Sequence, residues 1–197
     1  MAKELSRRGY DLIIAAEDDA IANAAGQIQS NESIVLPVQA DLGTYEGVEK
    51  FHNELKSAGR PLEIVALNAG LGVGGDFTRE TDLEQELEII NVNVTSTVHL
   101  AKRVLKDMVE RNEGKILITS SIAGQAPAPL EAVYGASKAF LTSFADALRN
   151  ELKDTNVKIT TLMPGPTETN FFHARAWTGL KSGRARRMTP PKLHIRG

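Results

Sequence analysis

Short apolar runs alternate with longer amphipathic segments along this chain, and this alternation limits the folds open to it. The runs are continuous and rich in β-branched residues, which is typical of strands buried on both faces. We predict strands at Asp11–Ala16, Ser33–Val38, Leu62–Leu67, Lys115–Ser120 and Val157–Leu162. The segments between them predict helices at Asp19–Gln29, Tyr45–Ser57, Thr81–Asn112 and Glu131–Lys153. Strand–helix alternation predicts an α/β fold whose sheet is parallel and whose crossovers are right-handed.

Composition excludes several classes of protein. The 197 residues are 42% hydrophobic and 24% charged, which is typical of a soluble globular domain. There is no cysteine, and the four histidines lack metal-ligand spacing, so we predict no disulfide and no metal site. No apolar run approaches the roughly 18 residues of a membrane span, and the first, Leu12–Ala16, is too short for a signal peptide. We therefore expect a cytoplasmic protein without membrane contact.

Charge is unevenly distributed between the body of the chain and its last 25 residues. Residues 173–197 contain seven Lys/Arg and no Asp/Glu, whereas residues 1–172 contain 16 basic and 25 acidic side chains. An acidic body makes nucleic-acid binding by the domain unexpected. We predict a domain over 1–172 and a basic, Gly- and Pro-broken, mobile tail over 173–197.

Two residues of the last predicted helix carry the most specific chemistry. Tyr134 and Lys138 are four residues apart, so they share one helix face. An ammonium beside a phenol lowers the pKa of the phenol, which can then exchange a proton with an alcohol or carbonyl oxygen near neutral pH. Ser121 follows a predicted strand, at the edge where open α/β sheets bind ligands, and its hydroxyl can hold the same oxygen.

Six landmarks in this order resemble the short-chain dehydrogenase/reductase family over Met1 to about Phe172. They are Asp41-Leu42, Asn68-Ala69-Gly70, Asn93, Ser121, the Tyr134/Lys138 pair and Pro164-Gly165. The resemblance implies a Rossmann-like doubly wound parallel sheet, an NAD(P)(H) cofactor and hydride transfer to or from an alcohol/carbonyl substrate. It also implies a homodimer or homotetramer assembled through the helices at 81–112 and 131–153.

The resemblance also assigns cofactor contacts. Asp41 and Leu42 would border the adenine, and Asn68, Ala69 and Gly70 would line the floor beneath the cofactor, with Leu67 standing where the family often has a second Asn. Pro164 and Gly165 belong to the same set. Thr167 and Thr169 would contact the nicotinamide carboxamide, although turn chemistry after Pro-Gly is the alternative for both.

The catalytic roles follow in the same way. Asn93 would hold a helix kink and a water of a proton relay, with a structural Asn as the alternative role and Asn91 as the alternative residue. Ser121 would fix the substrate oxygen, with Ser120 as its competitor. Tyr134 would be the general acid/base, and Lys138 would lower its pKa and hold the nicotinamide ribose.

Cofactor preference and substrate are less constrained. Glu17 and Asp18 follow the first predicted strand, and two carboxylates there would repel a 2′-phosphate, which favours NAD(H) over NADP(H). Their alternative role is to serve the N-terminus of the next helix. Segments 72–77 and 125–130 are small, apolar or turn-forming, and favour an uncharged substrate.

Two features depart from the family. The opening strand with its Gly-rich, pyrophosphate-binding turn is not found, and Met1–Gly9 is predicted as the end of the helix that would follow it. The missing strand would lie between those at 11–16 and 62–67, leaving two apolar edges. The tail at 173–197 also departs from the family. As its explanation we favour a shifted reading frame or a truncated gene over a tail that binds anions or nucleic acid. Two alternatives to an enzyme therefore stay open: an inactive remnant of the fold, and a binding protein that uses the tail.

Overall fold

The computed structural model describes residues 1–165 of the chain. Thr167, Thr169 and the basic tail predicted at 173–197 lie outside the described residues. The chain divides into two compact units, Met1–Pro61 and Leu62–Gly197. Every residue predicted to be catalytic falls in the second unit, whereas Asp41 and Leu42 fall in the first.

The first unit contains two strands and three helices. In chain order these are α1 (Ala2–Arg7), β1 (Leu12–Ala16), α2 (Ile21–Ile28), β2 (Val35–Gln39) and α3 (Tyr45–Ser57). The strands pair in parallel, with Leu12 opposite Val35. The helix α3 begins after Thr44, whose hydroxyl accepts a hydrogen bond from the Gly47 N–H at 3.0 Å, as a threonine N-cap does. Apolar side chains from β2 and α3 form its core: Val35, Val38, Val48, Phe51 and Leu55.

The second unit contains a three-stranded parallel sheet in the order β3–β4–β5. Its elements are β3 (Ile64–Leu67), α4 (Leu83–Ile89), a π-helical segment (Ile90–Thr95), α5 (Ser96–Glu110), β4 (Gly114–Thr119), a 3₁₀ turn (Ile122–Gly124), α6 (Ala132–Glu151) and β5 (Val157–Leu162). The middle strand β4 supplies the fully buried Ile116 and Ile118. The sheet is covered by α5 and α6, which bury Val104, Met108, Leu141 and Ala145.

All five predicted strands are confirmed, with boundaries that move by two residues at most. The helix predicted at Thr81–Asn112 is instead interrupted, because the π-helical segment separates α4 from α5. A π-helical segment widens the backbone turn locally and is frequent at functional sites. Asn93, where the resemblance implies a kink, lies inside it and is completely buried.

Within the described residues, the strands form two sheets rather than one. The first holds β1 and β2, and the second holds β3, β4 and β5, so β1 and β3 each pair along one edge only. The residues of β1 are all half-buried, whereas the sequence predicted burial on both faces.

Candidate active site

The candidate site lies where the three parallel strands of the second unit end. Since parallel strands finish at the same edge of a sheet, the residues after Leu67, Thr119 and Leu162 are brought to one edge. The Ile122 N–H donates to the Pro164 carbonyl at 3.3 Å and joins the segments that follow β4 and β5. This edge carries the residues predicted after each strand: Asn68 to Gly70, Ser121, and Pro164 with Gly165.

Tyr134, Lys138 and Ser121 are brought together as the sequence predicts. Tyr134 and Lys138 lie one turn apart on the buried face of α6 and are 7% and 3% exposed. The Lys138 Nζ lies 5.7 Å from the centre of the Tyr134 ring. The phenol is hydrogen-bonded to the Ser121 side chain. A phenol, a hydroxyl and an ammonium therefore meet within one small region.

The two adjacent serines have different partners. The buried Ser120 hydroxyl donates to the Lys138 carbonyl at 2.7 Å and lies 2.8 Å from the Thr142 hydroxyl, so it joins β4 to α6. Ser121 accepts from the Ala123 N–H at 3.1 Å and begins the 3₁₀ turn. Because that bond uses Ser121 Oγ as an acceptor, its own proton can be donated. Of the two serines, Ser121 is the one that contacts Tyr134.

The Lys138 side chain is held by the end of the middle strand. Its Nζ donates to the Thr119 carbonyl at 3.1 Å. Burial lowers the pKa of Lys138 from 10.5 to about 8, because an ammonium loses solvation in the interior. The amine is therefore mostly protonated at neutral pH but close to the range in which it titrates.

The pKa of Tyr134 differs from the sequence prediction. Burial raises this pKa above 10, a hydrogen bond from Ser121 opposes the rise, and the nearby charge of Glu131 adds to it. Burial raises the pKa of Glu131 as well. The expected lowering by Lys138 is wrong for the protein as described, because desolvation of the phenolate outweighs the effects that stabilise it.

Asn93 is the centre of a buried hydrogen-bond network. Its Nδ2 donates to the Leu71 carbonyl at 3.0 Å and to the Ser137 hydroxyl at 2.9 Å, and its Oδ1 accepts from the Leu71 N–H at 2.7 Å. These bonds give the amide the structural role that was the alternative for it. The relay role stays a prediction. The competing Asn91 is exposed.

Gly70 packs closely against this network. A Cβ on Gly70 would lie 3.2 Å from the Lys138 Nζ and 3.3 Å from the Asn93 Oδ1. Next to it, Asn68 Oδ1 accepts from the Thr119 hydroxyl at 2.9 Å. The structure thus explains Gly70 by its approach to Lys138 and Asn93, while the predicted approach to a cofactor stays a prediction.

The first-unit residues have local roles. The Asp41 carboxylate accepts from the Gly43 N–H at 2.8 Å, and its carbonyl accepts from the Thr44 hydroxyl at 2.9 Å. Asp18 accepts from the Ala20 N–H at 2.7 Å, just before α2, which supports its alternative role at a helix N-terminus. Glu17 is exposed.

Sequence reasoning missed two residues that build the site. Ser137 links Asn93 to α6, and its only local signal is a serine inside a helix, where this residue type usually bonds to backbone. Gly124 lets the 3₁₀ turn touch α6, since a Cβ there would lie 2.6 Å from backbone atoms of Lys138 and Ala139. Both depend on contacts between elements far apart in sequence.

The segments predicted beside the substrate are joined to each other. The Gly75 N–H donates to the Leu130 carbonyl at 2.7 Å. Leu130 has φ of 66°, an uncommon conformation for a bulky side chain, and both Leu130 and Phe77 are exposed. These apolar side chains agree with the expectation of an uncharged substrate, which stays a prediction.

Residues 1–165 contain neither a candidate metal centre nor a candidate membrane span. In that range no group of three or more His, Asp or Glu side chains could hold a metal ion. No helix in the same range is long and apolar enough to cross a membrane.

The chain belongs to the short-chain dehydrogenase family, whose model matches residues 1–178. It is 34% identical over 172 residues to an uncharacterized short-chain type dehydrogenase/reductase of Sinorhizobium fredii, covering 87% of this chain and 66% of that protein. It is 31% identical over 166 residues to a probable NADP-dependent dehydrogenase of Haemophilus influenzae, covering 84% and 65%. The chain thus spans about two thirds of the length of these curated relatives.

Solved structures confirm the Rossmann-like α/β fold. A short-chain dehydrogenase from Sphingobium yanoikuyae in complex with NADPH matches with a TM-score of 0.79 and 28% identity, covering 86% of this chain and 66% of that one. The bulky-bulky ketone specific alcohol dehydrogenase from Comamonas testosteroni matches with a TM-score of 0.78 and 25% identity, covering 85% and 66%. The family is one of oxidoreductases, and the predicted family membership is confirmed.

Proposed function

We propose that this chain forms the catalytic part of an NAD(P)(H)-dependent oxidoreductase that interconverts an alcohol and a carbonyl compound. The observation that carries the proposal is the placement of the Lys138 Nζ 5.7 Å from the centre of the buried Tyr134 ring, and the hydrogen bonding of Ser121 to the phenol supports it. An acid and a second donor that face one point are what a carbonyl oxygen requires as it becomes an alcohol.

The side chains would divide the work as follows. A bound nicotinamide supplies or accepts the hydride, which no side chain can do. During reduction Tyr134 gives its proton to the carbonyl oxygen, and during oxidation the phenolate takes it back. With a substrate bound, the single Ser121 proton would be donated to the same oxygen instead of to the phenol, while its Oγ still accepts from the Ala123 N–H. Lys138 places a positive charge near the phenolate as it forms.

The residues suit a nicotinamide cofactor at the strand edge. Among residues 1–165, the Lys138 Nζ donates one hydrogen bond, to the Thr119 carbonyl. Its other N–H groups can therefore donate to ribose hydroxyls. We propose the remaining predicted contacts for the cofactor as well: Asp41, Leu42, Asn68, Ala69, Gly70, Pro164, Gly165, Thr167 and Thr169. The preference for NAD(H) inferred from Glu17 and Asp18 stays a prediction. Two of the similar proteins are named for NADP or NADPH, which favours the opposite outcome.

Replacing Tyr134 by Phe tests the proposal. Turnover would be followed with NADH and NADPH against a panel of uncharged ketones and aldehydes, and cofactor binding by nicotinamide fluorescence. We expect Tyr134→Phe to lower kcat about 10²- to 10⁴-fold, the usual contribution of a general acid, while cofactor binding is retained. Tyr45→Phe, at an exposed tyrosine of the first unit, is the matched control and should keep full activity.

Two results would argue against the proposal. Undiminished turnover of Tyr134→Phe would remove Tyr134 from the acid/base role. A folded chain that binds neither NADH nor NADPH would favour the alternative of an inactive remnant.

A homo-oligomer is proposed on a separate observation. Leu83, Leu87 and Ile90 are exposed at helical spacing on and just after α4. On α6, Phe140 is exposed as well and stacks on Phe144 with ring centres 5.9 Å apart. Such apolar helix faces are suited to burial between subunits. Light scattering would measure the molar mass in solution. A mass of two or four chains is expected, and a mass of one chain would contradict the proposal.

A further inference from the structure

Ser137 occupies a central place in the hydrogen bonds beneath the site. It lies on α6 between Tyr134 and Lys138 and is 4% exposed. Its hydroxyl donates to the Tyr134 carbonyl at 2.7 Å and accepts from the Asn93 Nδ2 at 2.9 Å. The proton and a lone pair of one hydroxyl are thus both used inside the protein.

These bonds join three segments that are distant in sequence. Leu71 follows β3, Asn93 lies in the π-helical segment, and Ser137 lies on α6. The Leu71 backbone exchanges two hydrogen bonds with Asn93, and Asn93 bonds to Ser137. Ser137 then bonds to the carbonyl of Tyr134. The continuous path therefore ends on the backbone of the residue proposed as the general acid.

Ser137 supplies one of the two hydrogen-bond acceptors of the Asn93 amide group. Asn93 is completely buried, and one of its two amide protons is satisfied by the Ser137 hydroxyl. Without that hydroxyl, a buried N–H would lose its acceptor and the first turn of α6 would lose a hydrogen bond to the π-helical segment. Because Tyr134 reaches Ser121 from this turn, a small shift of the turn would separate the phenol from the hydroxyl.

We propose that Ser137 is a positioning residue, which holds the Tyr134 turn against Asn93 and so keeps the phenol in reach of Ser121 and of the substrate oxygen. The effect of Ser137 on catalysis rests on the proposed function, which this proposal deepens. The geometric part concerns Tyr134 and Ser121 alone and can be measured without turnover.

Titration of a single tyrosine provides that measurement. The chain has three tyrosines, so a Tyr10→Phe/Tyr45→Phe background leaves Tyr134 as the only one. Its phenolate would be followed by absorbance at 295 nm as pH is raised, with Lys138 and Glu131 unchanged in every variant. Ser137→Ala should raise the measured pKa, because the hydrogen bond from Ser121 that favours the phenolate is weakened. Ser137→Thr keeps a hydroxyl and should restore the original value.

Kinetics supply the second readout. We expect Ser137→Ala to lower kcat roughly 10- to 100-fold with little change in KM for the cofactor, since small displacements of a reacting group have effects of this size. Ser96→Ala is the matched control, because Ser96 is also a buried serine that donates to a helix carbonyl, that of Val92. A general loss of packing would affect both variants, whereas a positioning role shifts the titration of Ser137→Ala alone.

The outcomes separate the two proposals. An unchanged Tyr134 titration in Ser137→Ala overturns the positioning role, whatever the activity. A raised pKa in a chain that turns over no carbonyl compound supports the positioning role and argues against the proposed function. If Ser137→Ala does not fold, Ser137→Cys carries the same test with a smaller expected shift, because a thiol is a weaker hydrogen-bonding group.

Discussion

Replacing Lys138 by Met should stabilise the folded protein at neutral pH. The side chain is almost fully buried, and its pKa falls from 10.5 to about 8. Burying its charged form therefore costs about 3 kcal/mol of folding free energy below pH 8. The hydrogen bond from the ammonium to the Thr119 carbonyl offsets part of this cost. A bond from a charged donor contributes about 1 to 2 kcal/mol. We expect Lys138→Met to be more stable than the unmodified chain by about 1 to 2 kcal/mol at pH 7.

The pH dependence identifies the cause of this effect. Since the folded pKa of Lys138 lies below its unfolded value, the unfolded chain binds more protons between about pH 8 and 10.5. The free energy of unfolding therefore rises with pH across this window, and the gain is lost as pH falls through about 8. Between pH 7 and 9.5 Lys138 should contribute an increase of about 2 kcal/mol. Lys138→Met lacks the titrating group and should lack this increase.

Guanidinium unfolding at pH 7 and at pH 9.5 measures both quantities. The control is Lys102→Met, which removes an exposed lysine of α5 and should keep the pH dependence of the unmodified chain. The pH range ends below 10, the pKa of the Tyr134 phenol in the unfolded chain, so that ionisation of the phenol contributes little to the difference. If all three proteins show the same change in the free energy of unfolding between the two pH values, the buried-ammonium argument is refuted.

Two further predictions concern the same site. Gly70→Ala should lower stability and displace the Lys138 amine, since its Cβ would lie 3.2 Å from that Nζ. The control is Gly26→Ala on α2, which has nothing within 4 Å of its Cβ and should stabilise the protein by up to ~1 kcal/mol. Thermal melts compare the two variants. Ser121→Ala should raise the pKa of Tyr134 further by removing the hydrogen bond that lowers it, and absorbance titration at 295 nm would show no shift if that bond were absent.

The strands and the shared helix face of Tyr134 and Lys138 could be predicted because their signals are local. Runs such as that at 157–162 are short, continuous and β-branched, and the four-residue spacing of Tyr134 and Lys138 fixes a shared face on any helix. The apolar pattern of 81–112 could not predict the π-helical segment, because one widened turn does not change the spacing of the apolar residues visibly. The partner of Ser137 lies 44 residues away, and no local pattern pairs it with Asn93.

The direction of the Tyr134 pKa shift shows why the chemistry of this site depends on tertiary structure. Sequence spacing places an ammonium beside the phenol, but burial acts on both groups and favours the uncharged form of each. The proton therefore stays on Tyr134 at neutral pH, as the acid role proposed for this phenol requires. When that proton leaves, the new phenolate strengthens the hold of Lys138 on its own proton, because the charges of neighbouring groups titrate together. If the proposed function holds, we therefore expect carbonyl reduction to be favoured at neutral pH and alcohol oxidation at higher pH, and pH–rate profiles in the two directions would check this.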